Sequence, residues 1–175
     1  MIDYTKRITT HRQYYPIDDL DISVESDRGR IISSPAFRRL QKRTQVFPLE
    51  LDAAVRSRLT HSLEVAQTSR FIAKKILQRI EDAGKYKLQG LQDAFVSIAE
   101  MTSMVHDIGN PPFGHFAEAV ISDWSKKEAL PLFERYLKQR GVGENKLKAK
   151  LRADLSDFDG NAQSVRVITR LQRLN

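Results

Sequence analysis

The stretch LQDAFVSIAEMTSMVHDIGNPPFGHFAE, residues 91–118, decides the fold class of this chain. From Leu91 to Ile108, Phe95, Ile98, Thr102 and Val105 recur at spacings of three and four, which puts them on one face of a helix. Gly109 followed by Pro111 and Pro112 ends that helix, because proline has no N–H to continue the ladder. His106 and Asp107 therefore fall in its last turn. Beyond the stop, Gly114 to about Lys127 carries Phe116, Val120 and Trp124 at i, i+4 and i+8, again helical, with His115 and Glu118 together on another part of the surface. Upstream, Val65, Ile72, Ile76 and Ile80 form one stripe of a long helix from Thr60 to about Ala83, widened by Leu63 and Leu77. The 8 glycines and 6 prolines fall between such segments and do not punctuate short alternating strands, so the chain reads as all-α.

The rest of the 175 residues fits a folded helical protein: 41% are hydrophobic and 29% charged. Cysteine is absent, which excludes disulfides, thiolate nucleophiles and iron–sulfur ligation. Met1 to Tyr15 is polar and basic, and no stretch approaches the ~20 apolar residues of a membrane span, so a cytoplasmic location without membrane contact is expected. Lysine and arginine number 29 against 22 acids, and 29 − 22 gives +7, which favours an anionic partner such as a nucleotide, a nucleic acid or a phosphorylated metabolite. Arg28, Arg30, Arg38, Arg39, Lys42 and Arg43 form a basic block broken at Ser33-Ser34-Pro35, where a second helix is expected to start. Leu130 to Leu155 is rich in lysine and reads as solvated helices. After a turn at Asp157 to Gly160, Val165, Val167, Ile168, Leu171 and Leu174 open a further helix.

Residues suited to chemistry concentrate in the same region. His61 opens one long helix, and His106 with Asp107 closes another. If those helix ends lie side by side, two imidazoles and a carboxylate surround one point, a mixed nitrogen and oxygen set suited to a divalent metal. Each of these residues alone is as readily a packing or surface group. His115 and Glu118, three apart on a helix, can share a hydrogen bond, and imidazole is the side chain that holds and releases a proton near neutral pH. Without the preceding loop they would be an ordinary surface pair.

The string from His106 to Glu118 resembles the signature of the bacterial deoxyguanosine triphosphate triphosphohydrolases, a branch of the HD-domain phosphohydrolases. The resemblance extends to Glu25–Ile32, to Pro35–Leu51 with its Thr44-Gln45-Val46-Phe47-Pro48, to Arg56–Ser62, and to Phe158–Gln163. It implies an all-α HD-domain helical architecture and metal-dependent hydrolysis of dGTP, with other dNTPs as further candidates, to the deoxynucleoside and tripolyphosphate. On this resemblance His61, His106 and Asp107 match all but one of the family's metal ligands, with Mg or Mn as the expected metal. His115 and Glu118 match its catalytic histidine and acid, the imidazole protonating the leaving 5′ oxygen. Arg58 matches an arginine that contacts phosphate, and Gln45 a residue that reads the deoxyribose. Asn110 stands where the wider family often has histidine, so its expected role is hydrogen bonding to substrate and not proton transfer.

The family is commonly oligomeric and often hexameric, and some members bind single-stranded DNA, so a homo-oligomer with that additional partner is expected. The remaining metal ligand, an aspartate on a later helix, has no match here. Residues 1–175 are accordingly expected to be the amino-terminal portion of an HD phosphohydrolase domain, with no second domain and little activity alone. Asn161 and Gln163 lie in the matching segment without a chemical role that sequence supplies. The alternatives are another HD-type nucleotide phosphohydrolase, or a single-stranded nucleic-acid-binding or regulatory module with an incomplete metal site.

Overall fold

A computed structural model describes residues 3–12, 15–43, 56–84, 88, 90–143 and 145–171. Among them the regular structure is helical and no strand occurs, as the periodicity predicts. The chain divides into two compact units, Met1–Ile108 with Val167–Asn175, and Gly109–Arg166. No helix among the described residues is long and apolar enough to cross a membrane.

In the first unit, helix α1 (Leu20–Ser33) starts at Asp19, whose carboxylate accepts the Ile22 N–H at 3.0 Å. The expected break follows. Pro35 forces Ser34 into an extended conformation, and the Ser34 hydroxyl then caps α2 (Pro35–Arg39) by accepting the Phe37 N–H at 3.2 Å. Ser57 does the same for α3 (Arg58–Asp82), accepting from Thr60 at 3.2 Å. Helix α4 (Gln92–Val105) runs antiparallel to α3, so Ala66 meets Met104 near one end while Ala73 and Leu77 meet Val96 near the other.

Of the expected α3 stripe, only the edge residue Leu77 is buried. Ile72 and Ile76 are 50% and 46% exposed, whereas Ser62, Ala66, Ala73 and Leu77, about a quarter turn round the helix, are buried. Small side chains let the two backbones approach closely, and the Ser69 hydroxyl donates to the Ala99 carbonyl at 3.1 Å across the gap. On α4, likewise, Thr102 is exposed and the most buried positions are Ala94, Val96, Glu100 and Met104. Buried Glu100 accepts from Arg28 of α1 at 2.9 and 3.2 Å and from Arg70 of α3 at 2.7 Å, tying three helices to one carboxylate. Arg12 secures the preceding segment to α1 by donating to the Ser23 carbonyl at 2.6 Å and to Asp27.

The second unit contains α5 (His115–Trp124), α6 (Leu130–Gln139), α7 (Lys146–Ser156) and α8 (Gly160–Arg166). Between α5 and α6, Ser125–Ala129 widens into a π turn. Pro131 accounts for it: the proline has no N–H for the carbonyl four residues back, and its ring would strike that carbonyl in a regular α-helix. The Ser122 hydroxyl accepts the Phe158 N–H at 3.0 Å, and Arg152 of α7 meets Glu134 of α6 at 2.8 Å. Phe116, Val120 and Trp124 of α5 do share a face, but it is 74%, 52% and 58% exposed.

Candidate functional site

The antiparallel α3–α4 pair brings the start of one helix to the end of the other. His61 lies in the first turn of α3, and His106 and Asp107 directly follow α4. One ligand atom from each of the three lies within 4.8 Å of the others, and the two imidazole rings meet edge to face, 5.4 Å between centroids. The Ser103 carbonyl, 2.7 Å from His106 Nδ1, can only accept, so the ring donates from that nitrogen. This leaves Nε2 to face Asp107 Oδ1 at 3.5 Å. A nitrogen lone pair and a carboxylate oxygen so close repel each other unless positive charge comes between them, either a second ring proton or a bound cation. The donor set, two imidazoles and one carboxylate, fits a divalent transition metal or Mg.

Asp107 is 5% exposed, and a carboxylate so buried needs a partner. Arg58, one turn before His61 on α3, provides it: Nη1 lies 3.1 Å from Asp107 Oδ2, with the arginine side chain 11% exposed. The guanidinium expected to contact phosphate therefore also holds the carboxylate of the metal cluster.

In the second unit, the backbone turns sharply before α5. Phe113 has φ 69° and Gly114 has φ 56°, ψ −134°, a combination open essentially to glycine alone. His115 follows at once. Its Nδ1 lies 2.6 Å from Glu118 Oε2, and because the carboxylate can only accept, the ring donates. His115 is 89% exposed, so the opposite nitrogen, Nε2, is open to a reactant, while Glu118 is only 15% exposed. The other carboxylate oxygen, Oε1, accepts the Gly160 N–H at 2.9 Å. Gly109 donates its N–H to the Ser164 hydroxyl at 2.9 Å, and that hydroxyl donates to the Gly160 carbonyl at 3.0 Å. Both glycines are sterically required. A Cβ on Gly109 would run into backbone atoms of Gly160, Gln163 and Ser164, and one on Gly160 would run into the side chains of Asn110 and Glu118.

The first unit thus gathers Arg58, His61, His106 and Asp107, and the second gathers Asn110, His115 and Glu118. Gln45 lies outside the described residues. Gly160 and Ser164 escaped sequence reasoning, although a glycine opening a helix in the Phe158–Gln163 segment was a visible sign of close backbone approach.

Residues 58–167 match the HD domain family. The chain belongs to the HD-domain family. HD domains bind divalent metals, and among the described residues His61, His106 and Asp107 form a group that could hold one. The chain is also similar to a protein of Pseudomonas aeruginosa named as a probable deoxyguanosinetriphosphate triphosphohydrolase, with 45% identity over 185 residues. That similarity covers 99% of this chain and 37% of the relative, so the HD domain described above lies in a chain spanning well under half the relative's length.

Proposed function

We propose that this HD domain serves the metal-dependent hydrolysis of dGTP, with other dNTPs as poorer substrates, to the deoxynucleoside and tripolyphosphate. The observation that carries this reading is the occurrence of a nitrogen and oxygen metal cluster and a carboxylate-held histidine in a chain 45% identical to a probable deoxyguanosinetriphosphate triphosphohydrolase. A Mg or Mn ion held by His61, His106 and Asp107 would supply Lewis acidity and offset negative charge at the α-phosphate. Arg58 adds a fixed positive charge for phosphate oxygens while keeping Asp107 in place. Water attacks the α-phosphorus and yields a proton to solvent, the bond from phosphorus to the 5′ oxygen breaks, and that oxygen leaves with a proton from His115 Nε2. Glu118 holds the Nδ1–H throughout and stabilises the imidazolium that has a proton to give. Asn110 hydrogen-bonds the substrate, and Gln45 reads the deoxyribose.

The test is incubation of a chain of the relative's full length with each dNTP in turn, with Mn or Mg, followed by product analysis. Tripolyphosphate is the expected product, and dGTP the fastest substrate. Release of orthophosphate or pyrophosphate instead would leave an HD hydrolase of another type. Single-stranded DNA is a further proposed partner, favoured by exposed Lys146 and Lys150 on α7. Its binding should fall steeply with salt and survive His61→Ala. The proposal also includes a cytoplasmic location and a homo-oligomer, tested by light scattering against the mass of a hexamer.

A further inference from the structure

Two sequence segments about fifty residues apart meet in the second unit, and their contacts converge on one carboxylate. Glu118 uses one oxygen for His115 Nδ1 at 2.6 Å and the other for the Gly160 N–H at 2.9 Å. A glutamate side chain on an exposed helix ordinarily samples several rotamers, so a lone i, i+3 contact would hold the imidazole only part of the time. The backbone N–H removes that freedom, because it is fixed by the first turn of α8 and cannot rotate away. That turn is itself tied down: the Ser164 hydroxyl receives the Gly109 N–H and donates to the Gly160 carbonyl. The missing Cβ atoms at Gly109 and Gly160 let the loop and the turn come this close.

We infer that Gly160 and Ser164 are positioning residues that lock Glu118, and through it hold His115 with its proton on Nδ1 and Nε2 facing outward. The orientation does not depend on which substrate is cleaved, whereas its kinetic consequence rests on the triphosphohydrolase reading. A free neutral imidazole prefers its proton on Nε2, so a ring held by Glu118 shows the reverse preference. Long-range proton–nitrogen correlation spectra at alkaline pH read this directly, with the His115 signal assigned by its loss in His115→Gln.

The parent protein should show His115 as the Nδ1–H tautomer, and Gly160→Ala should shift it toward Nε2–H, because the new methyl displaces Glu118. Ser164→Ala should shift it in the same direction by a smaller amount. In turnover, Gly160→Ala should lower kcat about 100-fold, the scale on which small misplacements of a catalytic group act. KM should stay within about twofold in Ser164→Ala, since substrate binding is not the function lost, whereas Gly160→Ala also displaces Asn110 and should raise KM. A parent ring carrying its proton on Nε2 overturns the inference. So does a Gly160→Ala protein with parental helix content that keeps both tautomer and kcat. If Gly160→Ala does not fold, Ser164→Ala decides by the same spectrum: an unchanged tautomer overturns the assignment. Failure of the reaction is distinguishable, because a chain of the relative's full length without tripolyphosphate production refutes the proposed function while the tautomer measurement stands.

Discussion

Replacing Glu100 with glutamine tests whether the carboxylate shared by α1, α3 and α4 holds the first unit together. Three charge-assisted bonds reach it, two from Arg28 at 2.9 and 3.2 Å and one from Arg70 at 2.7 Å. Glutamine keeps the size and one acceptor oxygen but no charge, so both guanidinia lose the shared carboxylate charge and at least one also loses its acceptor. Stripping a partner from a fully buried ion pair costs about 3–5 kcal/mol. Here Arg28 and Arg70 are 32% and 38% exposed and can turn to water, which brings the expected loss down to about 2 kcal/mol. Deprotonation offers no relief, because the hydrogen bond to Glu100 pushes the Arg28 pKa above its already high ordinary value. Against a typical domain stability of about 5–15 kcal/mol the loss is large. With a urea slope of about 1–3 kcal/mol/M, the unfolding midpoint should fall by roughly 1 M. Far-ultraviolet circular dichroism during urea titration measures it. A midpoint within about 0.2 M of the parent would refute the reasoning, since the three bonds would then contribute nothing net over their desolvation.

Other perturbations address the site and its supports. His61→Ala, His106→Ala and Asp107→Asn should each weaken Mn binding by tenfold or more in calorimetric titration, whereas His115→Gln should leave it intact; equal losses in all four would void the division of roles. If the cluster takes up a metal, added Mn should raise the melting temperature and chelation should reverse the rise, with an upshift of about 2.7 kcal/mol at a hundredfold excess over Kd. Ser34→Ala should cost about 1 kcal/mol by removing the cap of α2, measured by thermal unfolding. Gly109→Ala should cost about 1–3 kcal/mol, because its methyl meets backbone and not a flexible side chain.

The helices and the chemistry were legible in the sequence to different depths. The end of α4 was legible to within a turn from Gly109, Pro111 and Pro112, the helix stopping at Val105 with His106 and Asp107 just beyond it, and the α1–α2 break followed from Ser34-Pro35, because proline and capping residues act within a few residues of themselves. The Val65–Ile72–Ile76 stripe misled, since hydrophobic spacing reports where apolar side chains lie and not where two helices can approach most closely. Ala66 and Ala73, too small to stand out in a hydropathy pattern, mark that contact. The α5 face failed in a similar way: Phe116 and Trp124 are periodic yet exposed. The resemblance named His61, His106 and Asp107 as one set, while residue spacing alone left their meeting conditional on the antiparallel α3–α4 pairing. The Glu118–Gly160 bond was out of reach altogether, because a backbone N–H carries no signature in residue type.

If His61, His106 and Asp107 hold a metal as proposed, the alanines between α3 and α4 have a consequence for ion selectivity. His61 is borne by one helix, and His106 and Asp107 follow the other, so the diameter of the opening among their ligand atoms depends on how far apart the two helix axes lie. That separation is fixed by Ala66 and Ala73, at 2% and 4% exposure, neither of which supplies a ligand atom. A wedge inserted there, as in Ala66→Val, should widen the opening and favour ions of larger radius, so that the preference between Mg and Ca becomes adjustable from a position that touches no metal.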